Sequence, residues 1–280
     1  NKRKNLLATI VALFAAGATT QGAMAQTESA TEQSQIDEII VTATRRSTGI
    51  QDTSLSIAAI GEEDIVQKDL NGMDDYLKFV PGVSLIDRGI NQNTIVVRGI
   101  SSDPQQEGAA GPGPSVGVYF GEAPLTGLGL LQANADLQLV DMERIEVLRG
   151  PQGTLYGSGS LSGTVRNIPN PPNLQEVKSS VKLGYSNTAR VGGDNTKLQG
   201  VLNFPIVEDE LAIRAVVYRN DNSGYIRNTA GSDQLFSIVP ALFGAAGLAI
   251  DEDEVGQTLY EGGRITALWK PIDRLSVTFQ

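Results

Sequence analysis

Residues 177–186 read VKSSVKLGYS, a stretch in which apolar and polar side chains alternate. Successive side chains of a β-strand point to opposite faces of the sheet, so alternation of this kind predicts a strand with two different faces. One face carries Val177, Ser179, Val181, Leu183 and Tyr185, and the other carries lysine and serine. This stretch therefore predicts a strand that separates an apolar environment from a polar one.

Four further segments, 197–204, 211–218, 264–270 and 275–280, repeat the same alternation. The connections 207–210 and 271–274 are short, whereas the connection 220–262 is long. Short turns at one end and long loops at the other are typical of outer-membrane barrels, and Tyr185, Phe204 and Trp269 near strand ends fit an aromatic girdle. A soluble antiparallel sandwich alternates in the same way, so the strands alone leave both architectures open.

Five such strands cannot close a bacterial outer-membrane barrel. Those barrels have an even number of strands, from about eight upward. An open sheet edge inside lipid would leave backbone polar groups without partners. The sequence is therefore expected to be a C-terminally truncated piece of a longer barrel protein.

The first 25 residues predict export. Lys2, Arg3 and Lys4 precede an uncharged apolar stretch at 6–16, and Ala23-Met24-Ala25 supplies a cleavage site. This order is that of a secretory signal peptide. No later segment reaches the roughly 18 continuous apolar residues of a membrane-spanning helix. We therefore expect an exported protein, which favours the membrane barrel over the sandwich.

Composition excludes several classes of function. The 280 residues contain no Cys and no His, which removes zinc fingers, thiol chemistry and any catalytic triad that uses His. No pairing of a nucleophile with a base is visible, so no enzyme is predicted. The formal net charge of −10 argues against a nucleic-acid-binding surface. No metal site or cofactor is predicted.

Between the export signal and the alternating strands, residues 54–172 indicate a compact mixed domain. Short helices are predicted at 62–68 and 73–79, and strands at 94–97 and 116–120. The Gly- and Pro-rich stretch 101–114 is predicted to be a loop. Three prolines within 167–173 mark the end of this domain.

Several motifs of this middle region, in order, resemble those of TonB-dependent outer-membrane receptors. The first, EIIVTA at 38–43, is similar to the TonB box. The others are FVPGV at 79–83, VRGI at 97–100, GVYF at 117–120 and ERIEVLRGPQGTLYG at 143–157. Two positions depart from the family. Gly121-Glu122 stands where Asp-Gly is usual, although a Gly-X pair still suits a two-residue type II′ turn. The strand that closes the domain is interrupted by Pro169.

The resemblance implies an α+β plug domain followed by the first five or so antiparallel strands of a transmembrane β-barrel of about 22 strands. The expected organisation is a signal peptide at 1–25, a flexible leader with the box at 26–48, a plug at 49–173 and the start of the barrel at 174–280. The leader is too short for a separate signalling domain, since domains have roughly 50 residues or more.

The resemblance also implies a function, which is active import across the bacterial outer membrane. A ligand binds outside, the box becomes available to TonB in the periplasm, and proton-motive force displaces the plug. The expected partners are TonB with its inner-membrane complex, outer-membrane lipid and a small ligand, most commonly a ferric siderophore; a monomer is expected. The alternative is an exported β-rich binding or structural protein, or a passive pore.

The box is expected to contact TonB through Glu38, Ile39, Ile40, Val41, Thr42 and Ala43. Its β-branched residues favour an extended strand that can add to the sheet edge of a partner. The alternative is an ordinary edge strand of the domain itself.

In the family, plug arginines pair with glutamates of the barrel, and here Arg98 and Arg149 occupy those positions, with partners expected beyond Gln280. They could equally be surface charges at strand ends. Contacts with the ligand are expected from loop residues that face outward; the alternative is that these are simply solvated. These residues are Asp103, Gln105, Gln106, Gln132 and Asn134.

Overall fold

The computed structural model describes residues 39–87, 93–101, 114–125, 137–229, 251–272 and 274–280. The expected signal peptide lies outside these residues. Within them, the chain forms an N-terminal domain up to Pro169 and a C-terminal antiparallel sheet from Lys178. This is the predicted combination of an α+β domain and the beginning of a barrel-type sheet.

The N-terminal domain alternates short strands with short helices. Its strands are β1 (Ile40–Val41), β2 (Thr48–Gly49), β3 (Ile57–Gly61), β4 (Val83–Ile86), β5 (Thr94–Val97), β6 (Val116–Phe120), β7 (Ala123–Pro124), β8 (Met142–Arg149) and β9 (Gly163–Pro169). Its helices are α1 (Glu62–Gln67), α2 (Met73–Leu77) and α3 (Gly153–Tyr156). The predicted helices and the strands at 94–97 and 116–120 are all present, with helix ends one or two residues earlier than predicted.

A five-stranded sheet of order β3-β8-β9-β6-β7 forms the centre of this domain. Strand β8 is almost entirely buried, and β9 pairs with it in antiparallel and with β6 in parallel orientation. Helix α2 places Met73, Tyr76 and Leu77 in the core that this sheet shares with its helices. At the β6–β7 hairpin, Gly121 has φ of 57°, as a two-residue turn with glycine first requires.

The C-terminal sheet contains the five predicted strands, in the order β10-β11-β12-β15-β16 and with every neighbour antiparallel. They are β10 (Lys178–Asn187), β11 (Asp194–Val207), β12 (Leu211–Asn222), β15 (Thr258–Ile272) and β16 (Leu275–Phe279). A small pair, β13 (Ile226–Thr229) with β14 (Asp251–Val255), lies inside the connection predicted as a loop at 220–262. The predicted loop was therefore too long, because the polar residues of β13 and β14 pair with each other beyond the ends of β12 and β15.

The two faces of the C-terminal sheet differ as the alternation predicts. Leu183 and Tyr185 are 75% and 72% exposed on the outer face, together with Ile265 and Phe279. On the opposite face Ala212 and Val216 are buried, and Arg214 of the same strand bonds to Asp141 of the N-terminal domain. The sheet therefore presents apolar side chains outward and covers the domain with its other face. No helix among the described residues is long and apolar enough to cross a membrane.

Candidate functional site

The segment predicted as the box is a strand of the N-terminal domain. Ile40 and Val41 pair with Gly49 and Thr48 in a short hairpin, and the Ile50 amide donates to the Ile39 carbonyl at 3.0 Å. Val41 and Ala43 are completely buried, whereas Ile40 is 56% exposed. The segment thus pairs with β2 in a two-stranded sheet of its own, and its contact with TonB stays a prediction. Glu38 lies outside the described residues.

The buried carboxylate of Glu146, in the middle of β8, holds the end of this segment. The Thr42 amide donates to Glu146 Oε1 at 2.7 Å. Two arginines flank the same carboxylate: Arg144 Nε donates to Oε1 at 2.9 Å, and Arg166 Nη1 donates to Oε2 at 2.7 Å. Both guanidinium groups also donate to Thr42 Oγ1, at 3.0 and 2.9 Å. We call Glu146, Arg144 and Arg166 the carboxylate clamp.

The strand pairing explains how the carboxylate clamp is assembled. Glu146 and Arg166 are direct neighbours across β8 and β9, and Arg144 lies two residues before Glu146, on the same face of β8. Three charged groups thus meet where Glu146 is fully buried. Ionised groups in such a place need partners, and here two cations and one amide satisfy the carboxylate.

Tyr156 closes the other side of the box segment. Its hydroxyl donates to the Ala43 carbonyl at 2.7 Å, and its own carbonyl accepts from the Tyr119 hydroxyl at 2.6 Å. Burial raises the pKa of Tyr156, while Arg166 and Arg45 oppose that shift. The phenol therefore stays protonated and remains a donor at neutral pH. The Ile39 carbonyl, the Thr42 amide and the Ala43 carbonyl are thus each bonded within the domain.

Arg98 and Arg149 come to the same end of the N-terminal domain. Arg149 Nη1 donates to the Pro81 carbonyl at 2.9 Å, and the Arg98 amide donates to the carbonyl of the adjacent Gly82 at 2.8 Å. Neither guanidinium forms an ion pair with another described residue. The structure thus brings Arg98 and Arg149 together, and their pairing with barrel carboxylates stays a prediction.

Two carboxylates of the N-terminal domain, Asp69 and Asp141, form ion pairs with the C-terminal sheet. Asp69 accepts from Lys182 Nζ at 2.6 Å and from Lys197 Nζ at 3.2 Å. Asp141 pairs with Arg214 of β12 and Arg264 of β15. The acids belong to the domain and the bases to the sheet. Sequence reasoning missed both pairs, although single arginines inside alternating strands were a usable signal.

A cavity of about 710 Å³ opens between the domain and the sheet, near the end that carries the long β12–β15 connection. Asp74, Asp75, Tyr185, Tyr225 and Tyr260 are among its lining residues. The loop residues predicted to face a ligand, Asp103, Gln105, Gln106, Gln132 and Asn134, all lie outside the described residues. Among those that are described, no group of three or more acidic residues is arranged to hold a metal ion.

Comparison with known proteins identifies the N-terminal domain. Residues 49–164 match the family model "TonB-dependent Receptor Plug Domain". The chain is 28% identical over 189 residues to the ferripyoverdine receptor of Pseudomonas aeruginosa, a match covering 67% of this chain and 21% of that protein. It is 31% identical over 153 residues to the vitamin B12 transporter of Vibrio vulnificus, covering 54% of this chain and 23% of that protein.

A solved structure supports the fold. The ferric yersiniabactin uptake receptor of Yersinia pestis matches with a TM-score of 0.59 and 21% identity, covering 78% of this chain and 29% of that one. The chain thus spans less than a third of the length of these relatives. Residues 49–164 therefore form a domain of the TonB-dependent receptor plug type, as the motifs of the sequence predicted.

Proposed function

We propose that this TonB-dependent receptor imports a scarce ligand, most specifically a ferric siderophore, across the bacterial outer membrane, with TonB coupled through residues 38–43. The observation that carries the proposal is the state of the box. Its strand is docked in the plug, with the Thr42 amide bonded to Glu146 and the Ala43 carbonyl to Tyr156. A docked strand of this kind can be released, and a released β-branched strand can add to the sheet edge of a partner.

The cargo is proposed from the relatives. The ferripyoverdine receptor favours a ferric chelate, whereas the vitamin B12 transporter supports cobalamin as a second candidate. The 710 Å³ cavity between plug and sheet is large enough for part of either ligand. Because long loops of outer-membrane barrels face the exterior, this cavity lies at the end that a ligand would enter. The loop residues 103, 105, 106, 132 and 134 remain candidates for its contacts.

Location and gating complete the proposal. Residues 1–25 direct export, residues 26–48 form the leader with the box, 49–173 the plug and 174–280 the start of the barrel. Arg98 and Arg149 pair with barrel carboxylates outside this chain and keep the plug in place. Replacing Arg149 with Ala is then expected to raise the influx of vancomycin through the full-length receptor, and unchanged influx would remove this role.

The sharpest test of TonB coupling is Ile40→Pro, with Ile40→Ala as its control. Ile40 is more than half exposed, so replacing it perturbs the plug less than a change at the buried Val41. Proline removes the backbone N–H at position 40, whereas alanine retains it. Cells that make the full-length receptor should lose uptake of ⁵⁵Fe from ferripyoverdine with proline and keep it with alanine. If the cells take up labelled cyanocobalamin in place of iron, the proposed coupling stands and the proposed cargo changes. Full uptake by the Ile40→Pro receptor would refute the coupling.

A further inference from the structure

The cavity between the N-terminal domain and the C-terminal sheet is lined by acids and amides rather than by bases. Its acids are Asp69, Asp74, Asp75 and Asp87, and among the described residues that line it Lys197 alone carries a positive charge. Seven more lining residues are asparagine or glutamine. Charge and hydrogen-bonding capacity are therefore the two properties by which this cavity can select a ligand.

The positive charge of Lys197 is already bonded within the protein. Its Nζ donates to Asp69 Oδ1 at 3.2 Å and to Asn71 Oδ1. Two further lysines lie outside the lining: Lys182 also donates to Asp69, and Lys78 lies 3.6 Å from Asp74 in an exposed ion pair, which is a weak kind of contact. Four acids thus face three bases, each of which has a described carboxylate partner. The described lining offers no free cation to an anionic ligand.

The amides of the lining favour a ligand that bonds without charge, because each carboxamide is both a donor and an acceptor. Asn220 is 5% exposed, and its Nδ2 donates to Gln138 Oε1. Its Oδ1 has no hydrogen-bond partner within the part of the chain that the structure describes. A buried acceptor without a partner is costly, and an amide N–H or a hydroxyl of a ligand can satisfy it. The lining therefore suits a ligand that carries amide or hydroxyl groups and no negative charge.

Ferric chelates fall into classes that differ in charge. Three hydroxamate groups neutralise Fe³⁺, whereas three catecholate groups leave three negative charges on the chelate. An anionic chelate in this cavity would lose hydration and meet carboxylates instead of cations, which rejects it. We propose that the cavity selects a ferric chelate of the hydroxamate class, without net negative charge, and excludes anionic catecholate chelates. This inference rests on the proposed function, since it concerns the class of siderophore that the receptor imports.

Equilibrium binding to the purified full-length receptor tests the charge selection independently of transport. The probes are ferrichrome, a neutral hydroxamate chelate, ferrioxamine B, a hydroxamate chelate with one positive charge, and ferric enterobactin, a catecholate chelate with three negative charges. At least one hydroxamate chelate should bind more tightly than ferric enterobactin, by about tenfold or more. Equal or tighter binding of ferric enterobactin would overturn the proposal, and so would a lack of measurable binding by both hydroxamate chelates.

Asp74→Lys tests whether the charge of the lining causes the selection. Relative to the hydroxamate chelate that binds, the affinity for ferric enterobactin should rise about fivefold in dilute buffer, and added salt should reduce this gain by screening. Glu208→Lys makes the same change of charge in the exposed turn after β11, at the opposite end of that strand from Lys197, and should leave the ratio unchanged. An unchanged ratio for Asp74→Lys would contradict the charge selection.

Uptake distinguishes this inference from the proposed function. Cells that make the full-length receptor should take up ⁵⁵Fe from the hydroxamate chelate that binds. Binding in the expected order of charge without any uptake would refute the proposed import and support the charge selection. Faster uptake from ferric enterobactin than from both hydroxamate chelates would support siderophore import and overturn the charge selection.

Discussion

At the scale of single residues, the carboxylate clamp has the largest predicted effect on the box. Glu146→Gln preserves shape but removes the charge between Arg144 and Arg166, and the loss of a buried ionic partner costs about 3 kcal/mol or more. Trypsin cleavage at Arg46 in outer-membrane vesicles should then become about 100-fold faster, because cleavage follows the population of the open form.

Glu122→Gln is the matched control for that variant. Glu122 also pairs with Arg166, but its side chain is 63% exposed, and exposed ion pairs contribute below about 1 kcal/mol. Its cleavage rate should stay within a few-fold of the wild type. Equal rates for Glu146→Gln and the wild type would show that the clamp does not hold the box.

A second residue-scale prediction concerns acid. The hydrogen bond from Lys182, with a smaller effect from Lys197, lowers the pKa of Asp69 to about 2, against partial burial that raises it. The folded-state pKa lies below the unfolded value, so this contact stabilises the protein above about pH 4 and is lost as pH falls towards 2. The melting temperature of the wild type should exceed that of Asp69→Asn at pH 6, and the difference should disappear near pH 2. A difference that persists at pH 2 would contradict this linkage.

The residue scale also shows where sequence reasoning reaches its limit. The motif at 143–157 indicated a plug domain, yet the role of Glu146 follows only from the approach of Thr42, which is 104 positions earlier. Likewise, the pairing of Asp141 with Arg214 and Arg264 depends on how the sheet wraps the plug. Local patterns identify charged residues in apolar strands, but they do not identify partners that only the tertiary fold brings together.

At the scale of elements, the contact between β8 and β9 depends on a glycine. A Cβ added to Gly163 would lie 2.7 Å from the Leu148 carbonyl oxygen and 3.2 Å from Val97 Cγ2. Gly163→Ala is therefore expected to destabilise the plug by about 1–3 kcal/mol, because the strands must separate. Gly153→Ala in α3 meets no atom within 4 Å and should be neutral or slightly stabilising. Calorimetric melting of the purified receptor distinguishes them, and equal melting temperatures would contradict the close packing.

Most elements were predictable because their signals are local. Alternation located the five strands of the sheet, and Pro81-Gly82 correctly ended the region of α2. The small strands β13 and β14 were missed, since Arg227, Asp253 and their neighbours are polar and give no alternation of apolar residues. They are stabilised by pairing with each other and by the ion pair of Arg227 with Asp253, neither of which a single-strand pattern reveals.

At the scale of the whole molecule, the outward apolar face predicts contact with lipid. Leu183 is 75% exposed on that face of β10. Leu183→Arg should destabilise the inserted barrel by about 2–4 kcal/mol, whereas Leu183→Phe changes size without adding charge and should be tolerated. The amount of heat-modifiable, folded receptor in outer membranes measures this. Equal amounts for both variants would indicate that the face does not contact lipid.

The overall architecture could be predicted, because the order of motifs and the two-sided strands both point to a plugged barrel. How the plug packs against the C-terminal sheet could not be predicted from the sequence. The pairing of Asp69 and Asp141 with basic groups of the sheet is an example, because no local pattern links residues so far apart in sequence. Which charged groups of the plug and the sheet pair with each other depends on which strands lie beside the plug. That arrangement is determined by the tertiary fold and not by any one segment of the sequence.

The sequence distance between Thr42 and Glu146 has a consequence for the biogenesis of the receptor. The box segment is synthesised first, but its binding place on β8 and β9 is complete only after residue 169 has been made. Contacts of such long range form late during folding. A newly made chain therefore displays residues 39–43 before their binding place exists. If this segment binds TonB as proposed, an unfolded chain competes with folded receptors for TonB until its plug has formed.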